Sequence, residues 1–173
     1  MSVPTILITG PSGVGKTTVA SEVGWILGEE LDLSHALVEM DFLSVLHPMP
    51  EDDVVRLTNL RSVWATYEAA GAERLLLVDT LESAEDLHAL QDALPDAEIT
   101  VIRLVAPLTT LRERVSRREL GGIGEPLHHA MAERHVVVQA DLGIEEHVVE
   151  TDGRTPNDIA RQIVALNGWP APA

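Results

Sequence analysis

Eight consecutive residues near the start of the chain carry its clearest chemistry. Gly10-Pro-Ser-Gly-Val-Gly15-Lys16-Thr17 matches the spacing G-x-x-x-x-G-K-[ST] in full. Glycines at these positions let the backbone wrap closely around an anion, with successive N–H groups turned inward. A helix starting behind them adds the positive end of its dipole. Lys16 is placed to reach the β- and γ-phosphates of a nucleoside triphosphate, and the Thr17 hydroxyl to ligate Mg²⁺. Gly10, Ser12, Gly13, Val14, Gly15, Lys16, Thr17 and Thr18 are therefore the expected phosphate cradle. Of the 12 basic residues, all but Lys16 are arginine, so the one ammonium side chain falls at this loop.

Carboxylates recur at the ends of apolar runs. Asp41 follows Leu37-Val38-Glu39-Met40, and Asp79 follows Leu76-Leu77-Val78. In an open parallel sheet, ligands sit beyond the carboxyl ends of the strands. A carboxylate there can accept the proton of a substrate hydroxyl or hold a metal. Asp41 is expected to contact the substrate and act as general base, with Glu39 as a weaker rival. Asp79 is expected on the metal side. For both aspartates the alternative is simply capping the next loop. Farther along, Arg114, Arg117 and Arg118 recur at spacings of three and four and share a helical face. Followed by Gly121-Gly122-Ile123-Gly124, they read as a lid over roughly 114–128. Arg114 and Arg118 would neutralise charge on the transferred group, and Arg114 and Arg117 would contact the nucleotide. Local Glu–Arg pairing on an exposed helix is the competing reading.

These residues need a scaffold, and the apolar pattern supplies one. Strand-length runs at Thr5–Thr9, Ala36–Met40, Arg74–Asp79, Ile99–Val105 and His147–Thr151 alternate with helical stretches. Runs apolar on both faces, such as Leu75–Val78, suit buried parallel strands. Helices are expected over Thr17–Leu31, Asp52–Ala70, a segment after the box Ser83-Ala-Glu-Asp86, Thr109–Glu119, and a last one capped by Thr155 with Pro156 at its first turn. Gly121–Leu127 is expected to be the mobile segment. The sum is a three-layer α/β/α fold with a five-stranded parallel sheet and a short lid, in one domain spanning 1–173.

The formal net charge of −16 argues against a nucleic-acid partner, and the lack of cysteine excludes thiolate chemistry. No apolar run is long enough to cross a bilayer and no secretory leader is visible, so a cytoplasmic protein without a membrane partner is expected. The chain has no Asn-Lys-x-Asp for guanine, no Asp-x-x-Gly after the third strand, and no Leu-Ser-Gly-Gly-Gln segment. That leaves phosphoryl transfer to a small molecule as the best fit. The competing class is a nucleotide-binding switch with a protein partner.

Gly10–Thr18, Asp41, the Leu111-x-x-Arg114-x-x-x-Arg118 helix and Val149–Pro156 together resemble the small P-loop kinases of the nucleoside-monophosphate-kinase-like fold. The nearest branch includes chloramphenicol phosphotransferase, gluconate kinase and adenylylsulfate kinase. The resemblance implies ATP with Mg²⁺ and a small hydroxyl acceptor. It also implies that the Thr151–Thr155 loop passes near adenine, with Gly153 as the close-approach residue. The arginine that shikimate kinases carry after the second-strand aspartate is missing here, as is the Asp-Gly-Phe-Pro-Arg segment of nucleoside-monophosphate kinases. No lysine or arginine lies between Lys16 and Arg56, which counts against an anionic acceptor.

Overall fold

The computed structural model describes residues 2–48 and 52–169. Its central strand is β1 (Val3–Thr9), which pairs in parallel with β3 (Leu75–Val78) on one side and β4 (Ala97–Val105) on the other. β2 (Ala36–Glu39) and β5 (His147–Glu150) complete the sheet in the order β2-β3-β1-β4-β5, all parallel. Because every strand runs the same way, all five carboxyl ends, and the loops leaving them, share one edge of the sheet.

Alternation along β1 divides the interior in two. Ile6 and Ile8 face one layer, built with Val19, Val23 and Leu27 from the first helix and Ile159 and Ile163 from the last. Leu7 faces the other, with Leu75, Leu77, Leu60, Trp64 and Leu90. All three strand residues are fully buried, which only a sheet covered on both faces allows. The covering helices are α1 (Lys16–Trp25), α2 (Val54–Ala69), α3 (Ala84–Ala93), α4 (Leu108–Glu119), α5 (Glu125–Ala140) and α6 (Pro156–Leu166). The expected three-layer arrangement of five parallel strands is what forms.

Local signals acted where they were read. Ser83 and Asp86 make the reciprocal capping box at the start of α3, and the Thr155 hydroxyl accepts from the Asp158 amide at the start of α6. The first helix departs from expectation at its end. After Trp25 it widens through Ile26–Glu30 rather than continuing regularly to Leu31. Within Gly121–Leu127, residues 121–124 form a turn, and Glu125 begins the four-turn α5. Among the described residues, no helix is long and apolar enough to cross a membrane.

Candidate active site

Two glycines set the phosphate loop against the sheet. Gly10 has φ +147°, and a Cβ there would lie 2.6 Å from the Leu104 carbonyl oxygen on β4. Gly13 has φ +83°, and its Cβ would lie 2.7 Å from the Leu111 carbonyl oxygen on α4. A side chain at either place meets backbone that cannot yield, so the loop packs onto β4 and α4 only because these residues are glycine. Between the two, the Lys16 ammonium donates to the Gly10 carbonyl at 2.9 Å and is held across the loop mouth.

A cavity of about 820 Å³ opens at this edge of the sheet. Its floor is the loop, from Ser12 through Thr18, so the expected cradle faces it apart from Gly10, which sits behind and holds Lys16. Asp41 and Asp79 reach it from the ends of β2 and β3, and Arg114 and Arg118 from α4. Residues from Ser12 to Arg118, far apart in the chain, are thus brought to one chamber.

The carboxylates divide their roles differently from the sequence reading. Asp79 is 3% exposed, and both of its oxygens accept from one Arg56 nitrogen at 2.8 Å. One oxygen also accepts from the Thr80 amide at 2.8 Å. Burial pushes its carboxyl above the ordinary value, against the pull of Arg56. Its carboxylate is thus committed chiefly to Arg56 where it lines the cavity. The residue that does meet Thr17 is Glu39, whose Oε2 accepts from the Thr17 hydroxyl at 2.6 Å. Asp41, on the short helical turn Met40–Ser44, makes no hydrogen bond or ion pair with the described residues and stays exposed. Asn59 of α2 holds that turn by donating to the Leu43 carbonyl at 2.7 Å.

The arginines also separate. Arg114 donates to the Val14 carbonyl at 3.0 Å and to the Thr151 hydroxyl and carbonyl at 2.9 and 3.0 Å. It brackets the phosphate loop to the end of β5, which commits three of its N–H groups to the fold. Arg118 lines the cavity and, among the described residues, pairs only with Glu119, at 2.9 Å. Arg117 lies outside the cavity: its side chain is 81% exposed, 4.0 Å from Glu113. The helical turn that carries Arg114 and Arg118 inward carries Arg117 outward. Gly153 likewise does not line the cavity. It takes φ +65° in the β5–α6 turn, while Thr151 and Arg154 on either side of it face inward.

Burial depresses the Lys16 ammonium below its ordinary value, while Asp41, Glu39 and Asp79 pull it back up. Burial raises Glu39, and the Thr17 hydrogen bond opposes this. Glu82 after β3, and Met131 and His135 on α5, also line the wall without having been singled out in the sequence. Their helix was not anticipated, although Pro126 in its first turn is a start signal. Among the described residues, no group of three or more His, Cys, Asp or Glu side chains could hold a metal ion by itself.

No known sequence family and no curated protein matches the chain. Solved structures do. The tunicamycin resistance protein of Deinococcus radiodurans superposes with a TM-score of 0.68 at 20% identity, covering 99% of both chains. A gluconokinase from Sinorhizobium meliloti 1021 gives 0.65 at 18%, covering 97% of this chain and 93% of its own. The APS kinase of Mycobacterium tuberculosis, in complex with AMPPNP and APS, gives 0.58 at 21%, covering 95% and 97%. The chain has the fold of the small-molecule P-loop kinases. At these identities the likeness is one of architecture.

Proposed function

We propose that the protein transfers the γ-phosphoryl group of Mg·ATP to a hydroxyl of a small molecule. The observation that carries this reading is the presence, in one cavity, of a complete phosphate loop and an unpaired carboxylate, Asp41, at the end of the neighbouring β2. The kinase fold of the neighbours supports it.

In this reading the loop amides and Lys16 bind the phosphates and fix the γ-phosphorus. Phosphate oxygens replace the Gly10 carbonyl as the lysine's partner and favour its charged form. The site also fits a magnesium ion. Thr17 and Glu39 present two hard oxygens 2.6 Å apart, and a hydroxyl and a carboxylate are suitable donors for an ion that keeps most of its waters and its phosphate oxygens. When bound, the ion neutralises charge on the β- and γ-phosphates. Asp41 orients the acceptor hydroxyl and takes its proton. The acceptor oxygen bonds to the γ-phosphorus as the bond to the bridging oxygen breaks, and ADP leaves with that electron pair. Arg118 supplies positive charge beside the transferring group. Arg114 keeps the loop and the β5 end in register. Positioning and electrostatics supply most of the rate.

The test is ADP release from Mg·ATP across a panel of hydroxylated compounds, with Lys16→Ala and Asp41→Asn beside the wild type. A kinase shows acceptor-dependent release that both variants lose, while Asp41→Asn still binds ATP. Slow release indifferent to every acceptor and abolished only by Lys16→Ala would identify a nucleotide switch instead.

A further inference from the structure

The proposed chemistry leaves the wall carboxylate Glu82 unused, and the fold goes to some length to hold it. Glu82 follows β3. One of its oxygens lies 3.0 Å from Nε2 of His135, and the other accepts from Arg134. One turn farther along α5, Gln139 donates to the Leu81 carbonyl at 2.8 Å. Three side chains of a single helix thus pin residues 81–82 against the cavity. His135 is itself 2% exposed and lines the cavity, and its Nδ1 has no hydrogen-bond partner. Burial lowers its pKa, which keeps the ring neutral. The ring then gives Nε2–H to Glu82 as a neutral donor.

Charge is sorted along the chamber. The β4–β5 half is lined by Arg114, Arg118 and Arg154, and the β2–β3 half by Glu39, Asp41, Asp79 and Glu82. The guanidinium on the acidic half, Arg56, is already matched by Asp79 and by Asp53 at 3.0 Å. Arg134 is 65% exposed, so its offset of Glu82 is screened by solvent. Once Mg·ATP engages Lys16, Thr17 and Glu39, the groups left on this wall are acceptors of hydrogen bonds carrying negative charge. An anionic compound is repelled there, and a cationic one gains charge pairing that a neutral polyol cannot supply.

Building on the kinase reading, we propose that the acceptor is a hydroxyl compound bearing a protonated amine. Glu82 binds the ammonium while Asp41 takes the hydroxyl. Glu82 is then a specificity residue, with His135 positioning it.

The experiment measures ADP release from Mg·ATP with aminosugars and amino alcohols, their N-acetyl derivatives, and hydroxy acids of the same carbon skeletons. Stimulation confined to the free amines is expected. Glu82→Gln should raise KM for the amine about tenfold, as expected for losing one charged partner, while kcat and KM for ATP stay within about twofold. Glu82→Asp should recover part of the loss, and a thermal melt of each variant separates this from unfolding. N-acetyl or carboxylate forms that work as well as the amines, or a folded Glu82→Gln that shifts nothing, would overturn the amine assignment and leave the kinase reading standing. Release indifferent to all three forms would remove the kinase reading itself.

Discussion

Glu39 is caught between two demands. Desolvation holds its carboxyl above the ordinary 4.5, Asp41 and Asp79 add to this, and Thr17 and Lys16 oppose it. A carboxyl raised on folding stabilises the native state where it is protonated, and that contribution is lost as pH climbs from the ordinary value through the raised one. At neutral pH its charge therefore destabilises the fold. Glu39→Gln should raise the midpoint of thermal unfolding at pH 7, give no gain near pH 4, and lower acceptor-dependent ADP release at least tenfold. A lower midpoint at pH 7 would show that the carboxylate holds the fold together rather than serving the site. Arg114 predicts the opposite pairing of effects. Arg114→Ala removes three hydrogen bonds and strands the Val14 and Thr151 carbonyls, a cost of about 2–4 kcal/mol in urea unfolding together with weaker nucleotide binding. The sequence could show that these residues belong together but not who would be bound to whom. Asp79 stands at a strand end as a metal ligand would. Only the packing of α2 against β3 brings Arg56 to both of its oxygens, and nothing local encodes that contact.

Elements whose signals are local could be read directly. The box Ser83–Asp86 lies within one helical turn, and the loop before α1 carries its geometry in its glycines. Ser83→Ala should cost about 1 kcal/mol of stability and leave ADP release unchanged. Gly13→Ala should cost about 2–4 kcal/mol and abolish ATP binding, because its Cβ runs into the Leu111 carbonyl at an unfavourable φ. Isothermal calorimetry and urea unfolding check both. α5 was illegible for a physical reason. The residues it buries are Ala132, His135 and Gln139, while Leu127 and Val137 are 62% and 72% exposed. A helix that turns polar side chains inward and apolar ones outward has no apolar stripe to detect. The inversion coincides with the cavity wall, where His135 serves the site. The strands suffered no such ambiguity, since β1 and β3 are buried on both faces and their apolar runs need no phase.

At the scale of the whole molecule, the parallel sheet gathers all its functional loops on one edge, and a net charge of −16 surrounds them. Much of that charge is exposed, so the native state repels itself. Raising NaCl from about 20 to 300 mM should increase the midpoint of thermal unfolding, and the gain should level off as the Debye length falls below the spacing of the surface carboxylates. A midpoint that falls with salt would mean that ion pairs such as Arg161–Glu30, at 2.7 Å, dominate instead. The lone lysine has a consequence of another kind. An amine-selective acylating reagent finds only one side chain to modify in this protein, and that amine sits in the phosphate loop with its basicity lowered. Covalent labelling followed by peptide mapping, which separates Lys16 from the α-amine, therefore reports occupancy of the nucleotide site with no engineered tag. A lysine-specific protease meets a single internal bond, Lys16–Thr17, held in the first turn of α1. Its rate of cutting is a clock for how often the cradle opens.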